Sequence, residues 1–138
     1  MIGVRDGLNL STRVVGVVAE NANAYARSVA AGKVVPTNAA RTFADGMAVR
    51  VPDETALAVI RHGADRIVEV SEDEIAEAIR LYFSTTHTLT EGAAAAPLAA
   101  LMKDRDRMKG RRVGLVATGQ NIDTPVMATV LTGGTPQA

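Results

Sequence analysis

The stretch that most clearly indicates a fold is RRVGLVATGQNID, residues 111–123. Two arginines lead into an apolar run that is too short for a buried helix, and a turn of small and polar residues follows. A short apolar run between turn signals is typical of an inner strand in a parallel sheet. Because ligands bind at the carboxyl ends of such strands, we predict that Thr118, Gly119 and Asn121 lie at a ligand-binding edge.

The composition limits the classes of protein that the chain can represent. With 138 residues, of which 47% are apolar, the chain can bury one modest core and is expected to form a single domain. The formal net charge is zero, the lysines are scattered and aromatic residues make up 3%, so the sequence shows no footprint for nucleic acid or an anionic membrane. The lack of cysteine excludes disulfides and thiolate catalysis. Since no signal-peptide pattern is present, we expect a cytoplasmic protein.

Two more strands are predicted, at residues 13–19 and 66–70, and helical segments separate all three. Strands that alternate with helices pair in parallel through right-handed crossovers. We therefore predict an α/β fold, a three-layer αβα fragment in which helices flank a short, mostly parallel sheet. Residues 1–132 are expected to form this unit and residues 133–138 a flexible tail. Inner-type strands need neighbours that this chain hardly supplies, so the unit is expected to be part of a larger sheet.

Local signals predict where several helices begin. Asp53 is a strong N-cap, and Ser71 with Glu74 is spaced as a capping box. Pro97 lacks an amide hydrogen, so the helix that contains it is predicted to begin no earlier than about Ala94. An apolar stripe with helical spacing follows the capping box: Ile75, Ala78, Ile79 and Tyr82.

The start of the chain is predicted to be the end of a helix, at residues 2–8. Asn21 or Asn23 is expected to cap the helix that comes after the first strand. Gly32 is expected to end that helix, because glycine readily adopts the left-handed conformation at a helix terminus.

Four motifs carry a family resemblance: TFADGMAV at 42–49, IVEVSEDEI at 67–75, EGAAA at 91–95 and TGQNID at 118–123. In order and spacing they resemble the C-terminal half of the serine/threonine dehydratases, with threonine ammonia-lyase as the nearest comparison. Those enzymes use pyridoxal phosphate and have the tryptophan-synthase-β fold, also called fold type II. The resemblance implies that the chain is part of the large domain of such an enzyme and that pyridoxal phosphate is its cofactor.

The resemblance also implies five cofactor-binding residues: Thr118, Glu91, Gly92, Gly46 and Gly119. Thr118 stands where the family has a serine whose neutral hydroxyl faces the pyridine nitrogen, and Glu91 matches a glutamate near the cofactor ring. The residues alone leave other roles open. Thr118 is also compatible with a bond to a turn amide, Glu91 with helix-end electrostatics, and Gly46 with an ordinary turn.

The chain departs from the family pattern at several positions. Gln120 and Ala94 each stand where the family usually has glycine. Val18 replaces a glutamate that helps many members to bind a divalent cation. His62 and His87 are far apart and belong to no metal-binding motif, so no metal site is predicted.

The largest departure concerns catalysis. The family's Schiff-base lysine, in a Ser-x-Lys-x-Arg-Gly context, and its glycine-rich phosphate loop have no counterpart here, and Lys33, Lys103 and Lys109 lack such surroundings. We therefore predict no catalytic residue, no covalent cofactor binding by this chain alone, and a partial dehydratase that is inactive until an N-terminal half completes it. The alternative is a non-catalytic binding or scaffold domain derived from such an enzyme. Both hypotheses predict a homo-oligomer that uses no nucleic acid or membrane as partner.

Overall fold

Two parallel strands lie at the centre of the fold. In the computed structural model, which describes residues 1–138, β1 (Val14–Ala19) pairs in parallel with β2 (Ala64–Val70). The register places Ala19 opposite Val70 at the carboxyl ends of the strands, where both residues are fully buried. The predicted α/β class and parallel pairing are therefore confirmed.

Seven helices surround the strands. They are α1 (Ile2–Gly7), α2 (Ala24–Ala31), α3 (Glu54–Gly63), α4 (Glu72–Thr86), α5 (Gly92–Lys103), α6 (Arg105–Met108) and α7 (Thr124–Leu131). Helix α3 contacts both α1 and α2, whereas α4 packs on α5 and α7, and α5 also contacts both strands. No helix combines the length and the apolar character that crossing a bilayer requires.

The predicted caps of α3 and α4 are confirmed. The Asp53 carboxylate accepts a hydrogen bond of 2.8 Å from the Ala56 amide. At the start of α4 the Ser71 hydroxyl accepts from the Glu74 amide at 3.1 Å, and the Glu74 carboxylate accepts from the Ser71 amide at 2.8 Å. Each bond satisfies an amide that the helix itself leaves without a partner.

The start of α2 differs from the prediction. Asn23 is the N-cap residue, but its side chain makes no capping bond and donates instead to Glu69 Oε2 at 2.9 Å. The side chain therefore connects α2 to β2, although the two residues are 46 positions apart in the sequence. No local sequence pattern predicts this contact. Gly32 ends the helix with a φ of +72°, as predicted.

The core consists mainly of small side chains. Eleven of the 17 buried apolar residues are alanine, and the two largest fully buried side chains are Ile75 and Ile79 of α4. The chain exposes 8415 Å², whereas a compact monomer of 14.4 kDa exposes about 6,800 Å². The excess indicates an open structure with much surface that another polypeptide segment can cover.

The strand predicted at residues 111–117 is not formed, and this part of the prediction is wrong. Residues 109–123 contain neither helix nor strand, and the sheet has two strands. From Arg112 to Thr118 the backbone makes no backbone–backbone hydrogen bond, and Val113 and Val116 are 44% and 45% exposed. A strand exists only with a neighbour that accepts and donates its hydrogen bonds, and no other segment makes such bonds with residues 112–118.

The last residues contact α4. Arg80 donates to the carbonyl of Gly134 at 3.1 Å, Thr135 makes a hydrogen bond with Asp73, and Pro136 is buried. The flexibility of residues 133–138, and their separation from a unit at 1–132, stay predictions.

An exposed ion pair joins the beginnings of the two strands and gives a prediction about pH. Arg13 donates to both carboxylate oxygens of Asp65, at 2.9 and 2.6 Å, and these bonds lower the pKa of Asp65 below its usual 3.8. A lowered pKa in the folded state means that the pair stabilises the fold above the unfolded-state pKa and loses this effect as the pH falls through the folded-state pKa. We expect Asp65→Asn to lower the urea midpoint near neutral pH, and the gap to wild type to narrow as the pH falls below 3.8 and through the folded-state pKa. A gap that does not change between these pH values would contradict the assignment.

Candidate functional site

Glu91 lies where three segments of the chain meet. It is the N-cap residue of α5, its amide donates to the carbonyl of Gly119 at 3.1 Å, and its own carbonyl accepts from the Ala95 amide at 3.0 Å. The side chain makes no capping bond, so the carboxylate is free to face the space beside the helix terminus. The positive end of the helix dipole favours a negative charge at this position.

In the conformation that the Glu91 side chain adopts, Gly119 has no room for a side chain of its own. A Cβ atom at position 119 would overlap the Glu91 carboxyl group and would lie 2.7 Å from its Cγ. The same carboxylate faces the loop 42–47, where Oε1 lies 3.6 Å from the place that a Cβ on Gly46 would take. Two glycines from distant parts of the sequence therefore lie close to one carboxylate.

Gly92 brings the loop 42–47 against α5. A Cβ atom on Gly92 would lie 2.8 Å from Ala44 Cβ, 2.9 Å from Ala44 Cα and 3.2 Å from Phe43 Cε2. At the following residue of the helix, Ala93 Cβ lies 3.0 Å from the Cβ position of Gly46. The close approach of loop and helix therefore requires glycine at position 92.

The structure brings four of the five predicted cofactor-binding residues together: Glu91, Gly92, Gly46 and Gly119. Thr118, the fifth, is next to Gly119 in an exposed segment, and its hydroxyl has no partner within the chain. Asn121 is also exposed. Their roles in ligand binding stay predictions.

Helix α5 begins earlier than the sequence predicts. It starts at Gly92 and contains Pro97 at its sixth residue, so the prediction of a start no earlier than about Ala94 is wrong. Proline at this position removes the hydrogen bond that the Ala93 carbonyl would accept. Burial of the alanines of α5 against the strands and α4 outweighs that loss. As a result, Gly92 belongs to the first turn, beside the loop.

Glu72 was missed as a site residue. Its Oε2 accepts hydrogen bonds from the Thr42 hydroxyl at 3.1 Å and from the Phe43 amide at 2.9 Å. The sequence offers only a weak signal for this role, an acidic residue inside the capping box that the box does not use. His62 and His87 are both exposed, and no three His, Asp or Glu residues are placed to hold a metal ion.

By class, the chain has an α/β fold in which a helix N-terminus and two loops meet around glycines and one carboxylate. The sequence profile described as "Pyridoxal-phosphate dependent enzyme" matches residues 1–119, and the chain belongs to this family. Pyridoxal phosphate is therefore the cofactor that the family implies. Beside Glu91, neither Gly92 nor Gly119 has room for a side chain, and the Glu91 carboxylate is the polar group that this part of the chain would offer to the cofactor.

Two curated proteins and one solved structure show which members of the family are similar to this chain. The chain is 32% identical over 127 residues to an L-threonine ammonia-lyase of Thermotoga maritima, covering 92% of this chain and 31% of that protein. It is 35% identical over 112 residues to a beta-hydroxyaspartate dehydratase of Paracoccus denitrificans, covering 81% and 35%. The solved structure of threonine deaminase isoform 2 from Solanum lycopersicum, in its processed form, matches with a TM-score of 0.85 at 26% identity, over 96% of this chain and 40% of that one. The chain thus spans about a third of the length of these two curated relatives.

Proposed function

We propose that the chain forms the cofactor-ring side of a serine/threonine dehydratase. Such an enzyme removes water from a β-hydroxy amino acid and yields a 2-oxo acid and ammonia. The observation that carries the proposal is that Glu91 lies close to three glycines: Gly46, Gly92 and Gly119. All four residues are within the region that the family profile matches. The relatives support the substrate class, because threonine and β-hydroxyaspartate, on which they act, both carry a hydroxyl on the β carbon.

Thr118 has the chemistry that the proposed site needs. Pyridoxal phosphate, when bound, takes up the electron pair left by the departing α-proton. A threonine hydroxyl can donate or accept a hydrogen bond at the pyridine nitrogen but carries no negative charge there. It therefore does not stabilise a protonated ring as a carboxylate would. The exposed, unpartnered Thr118 hydroxyl supports this role.

The lysines support the proposal that this chain alone is inactive. Lys103 donates to Glu69 O at 2.9 Å, to Glu74 Oε2 at 3.1 Å and to Glu20 Oε1 at 3.4 Å. The hydrogen bond to Glu74 is the main cause of a raised pKa at Lys103, so the amine stays protonated at neutral pH. A protonated amine is no nucleophile for a carbonyl. Lys33 and Lys109 are exposed and lie outside the proposed site.

We propose that a second polypeptide segment supplies the Schiff-base lysine and the phosphate-binding loop. The free backbone of residues 112–118 supports this part of the proposal, because a segment with strand-type sequence and unpaired amides can add a strand from a partner. The excess of about 1,600 Å² over a compact monomer also supports it, since a stable interface of standard size buries only about 800 Å² of each partner. The cytoplasm is the proposed compartment.

The activity of the purified chain tests the proposal. Mixed with pyridoxal phosphate and threonine, the chain is expected to form 2-oxobutanoate no faster than the cofactor does by itself. When the part of the Thermotoga maritima enzyme outside the matched region is co-expressed with the chain, we expect activity that Thr118→Ser retains and Thr118→Val reduces. Steady turnover by the chain alone would contradict the proposed lack of a Schiff-base lysine. Equal activity of the two Thr118 variants would contradict the role of the hydroxyl.

The second candidate is a non-catalytic scaffold domain that self-associates. The same exposed segment, 112–118, favours it, because two copies can pair their free backbones with each other. Light scattering and a cofactor titration separate the two functions. A stable dimer or tetramer that gains neither pyridoxal phosphate binding nor activity on co-expression with the missing part supports the scaffold, whereas cofactor binding at Gly46 and Gly119 supports the dehydratase.

A further inference from the structure

The Glu72 side chain connects α4 to a loop 30 residues earlier in the sequence. Glu72 is the first residue of α4, and the capping box formed by Ser71 and Glu74 does not use it. Its Oε2 accepts from the Thr42 hydroxyl and the Phe43 amide, at 3.1 and 2.9 Å. One carboxylate oxygen therefore takes two hydrogen bonds from consecutive residues of the loop.

The contact continues one residue further into the loop. The Thr42 hydroxyl, which donates to Glu72, also accepts from the Ala44 amide at 3.1 Å. Thr42 and Ala44 are buried, at 9% and 1% exposure, so their polar groups have little access to water. A buried amide or hydroxyl without a partner is unfavourable, and Glu72 is the group that removes this penalty for the loop.

The other Glu72 oxygen, Oε1, is buried and has no partner in the chain. The carboxylate is therefore held by the two loop bonds at Oε2 and by its position at the N-terminus of α4, where the helix dipole favours a negative charge. The two bonds to the loop are the only hydrogen bonds that the Glu72 side chain makes within the chain.

The segment that Glu72 holds is also the segment that approaches Glu91. Phe43 and Ala44 lie against Gly92, and Gly46 follows them along the loop, 3.6 Å from Glu91 Oε1 when measured from its Cβ position. The spacing between Gly46 and the Glu91 carboxylate therefore depends on where the backbone of residues 42–44 is fixed.

We propose that Glu72 is a positioning residue: its carboxylate fixes the loop 42–47 against the N-terminus of α5 and so sets the gap between Gly46 and Glu91. The meaning of this gap for pyridoxal phosphate rests on the proposed function. The part of the proposal in which Glu72 fixes the loop does not depend on that function. This part can be measured in the chain without any ligand.

Amide exchange followed by NMR in the full chain tests the proposal. Glu72→Ala is expected to speed the exchange of the Phe43 and Ala44 amides by about tenfold, since one hydrogen bond to a charged group corresponds to at least that factor. It is also expected to shift the amide resonances of Gly46 and Glu91. Glu72→Gln keeps an acceptor oxygen of the same geometry, so the exchange is expected to return close to wild type.

Ser71→Ala is the matched control, because it weakens the start of α4 without touching the loop. We expect this variant to leave Phe43 protected and Gly46 unshifted. Equal changes in the two alanine variants, or changes in Glu72→Ala that stay within residues 71–76, would overturn the proposal. No rescue by Glu72→Gln would overturn it as well.

A titration with pyridoxal phosphate separates this inference from the proposed function. If the cofactor shifts Gly46 and Gly119 in wild type, its dissociation constant is expected to rise about tenfold in Glu72→Ala and to stay near wild type in Ser71→Ala and Glu72→Gln. If it shifts no resonance in wild type, binding depends on the second segment and the co-expression assay decides the proposed function, whereas the exchange rates still decide the role of Glu72.

Discussion

Replacing Gly92 by alanine is expected to lower the free energy of unfolding by about 1–3 kcal/mol, the usual cost of overpacking a buried site. The added Cβ would meet Ala44 Cβ at 2.8 Å and Ala44 Cα at 2.9 Å, and a backbone atom cannot turn aside as the end of a long side chain can. The loop is also held by Glu72 from its other side. Urea unfolding followed by circular dichroism measures the change.

Gly114→Ala is the control for this substitution. It makes the same chemical change at an exposed residue with nothing within 4 Å of the new Cβ, so we expect a change within about 0.5 kcal/mol. If the free energy of unfolding falls by the same amount in both variants, the loop does not contact α5 in solution as closely as the structure has it. The Gly92 result therefore tests the geometry of the candidate site without any assumption about its ligand.

Ile79→Ala is expected to lower the free energy of unfolding by about 2–5 kcal/mol. Ile79 is fully buried in a core in which most residues are alanine, so few other side chains can move to fill the space it leaves. A small domain has a total stability of about 5–15 kcal/mol, so a loss of this size removes a large part of the free energy of unfolding. The urea midpoint and the melting temperature measure the effect.

Leu131→Ala serves as the comparison, because Leu131 is 41% exposed at the end of α7. We expect it to cost less than half as much as Ile79→Ala, since truncating a partly exposed side chain leaves no closed cavity. Similar losses in both variants would mean that the core around α4 is not packed as the structure has it.

The sequence predicted the local features of the fold well. The capping box at Ser71, the N-cap at Asp53 and the left-handed Gly32 all depend on residues within one helical turn, and all three are confirmed. The apolar spacing of α4 also predicted buried Ile75 and Ile79. Such signals are encoded by neighbours in sequence and do not require knowledge of the rest of the chain.

The errors arose where structure depends on distant partners. The apolar run 111–117 has the composition of an inner strand, but a strand needs hydrogen bonds from a neighbour that the sheet does not provide. Pro97 predicted a later start of α5 because proline lacks an amide hydrogen. Burial of the helix outweighs the hydrogen bond that is lost, so α5 starts at Gly92. In the candidate site, glycine at 92 and 119 was predicted through family resemblance, whereas the link from Glu72 to Phe43 spans 29 residues and has no periodic signal.

The free backbone at 112–118 has a consequence for the handling of the isolated protein. An unpaired apolar segment with exposed amides is a template for stacking identical copies into fibres. Five exposed cations lie just before or at the start of it, and their mutual repulsion opposes such stacking: Arg105, Arg107, Lys109, Arg111 and Arg112. Salt shortens the range of this repulsion, to about 8 Å at physiological ionic strength and about 3 Å at 1 M. Concentrated salt, which protects many proteins in storage, is therefore the condition that removes this chain's own protection against aggregation.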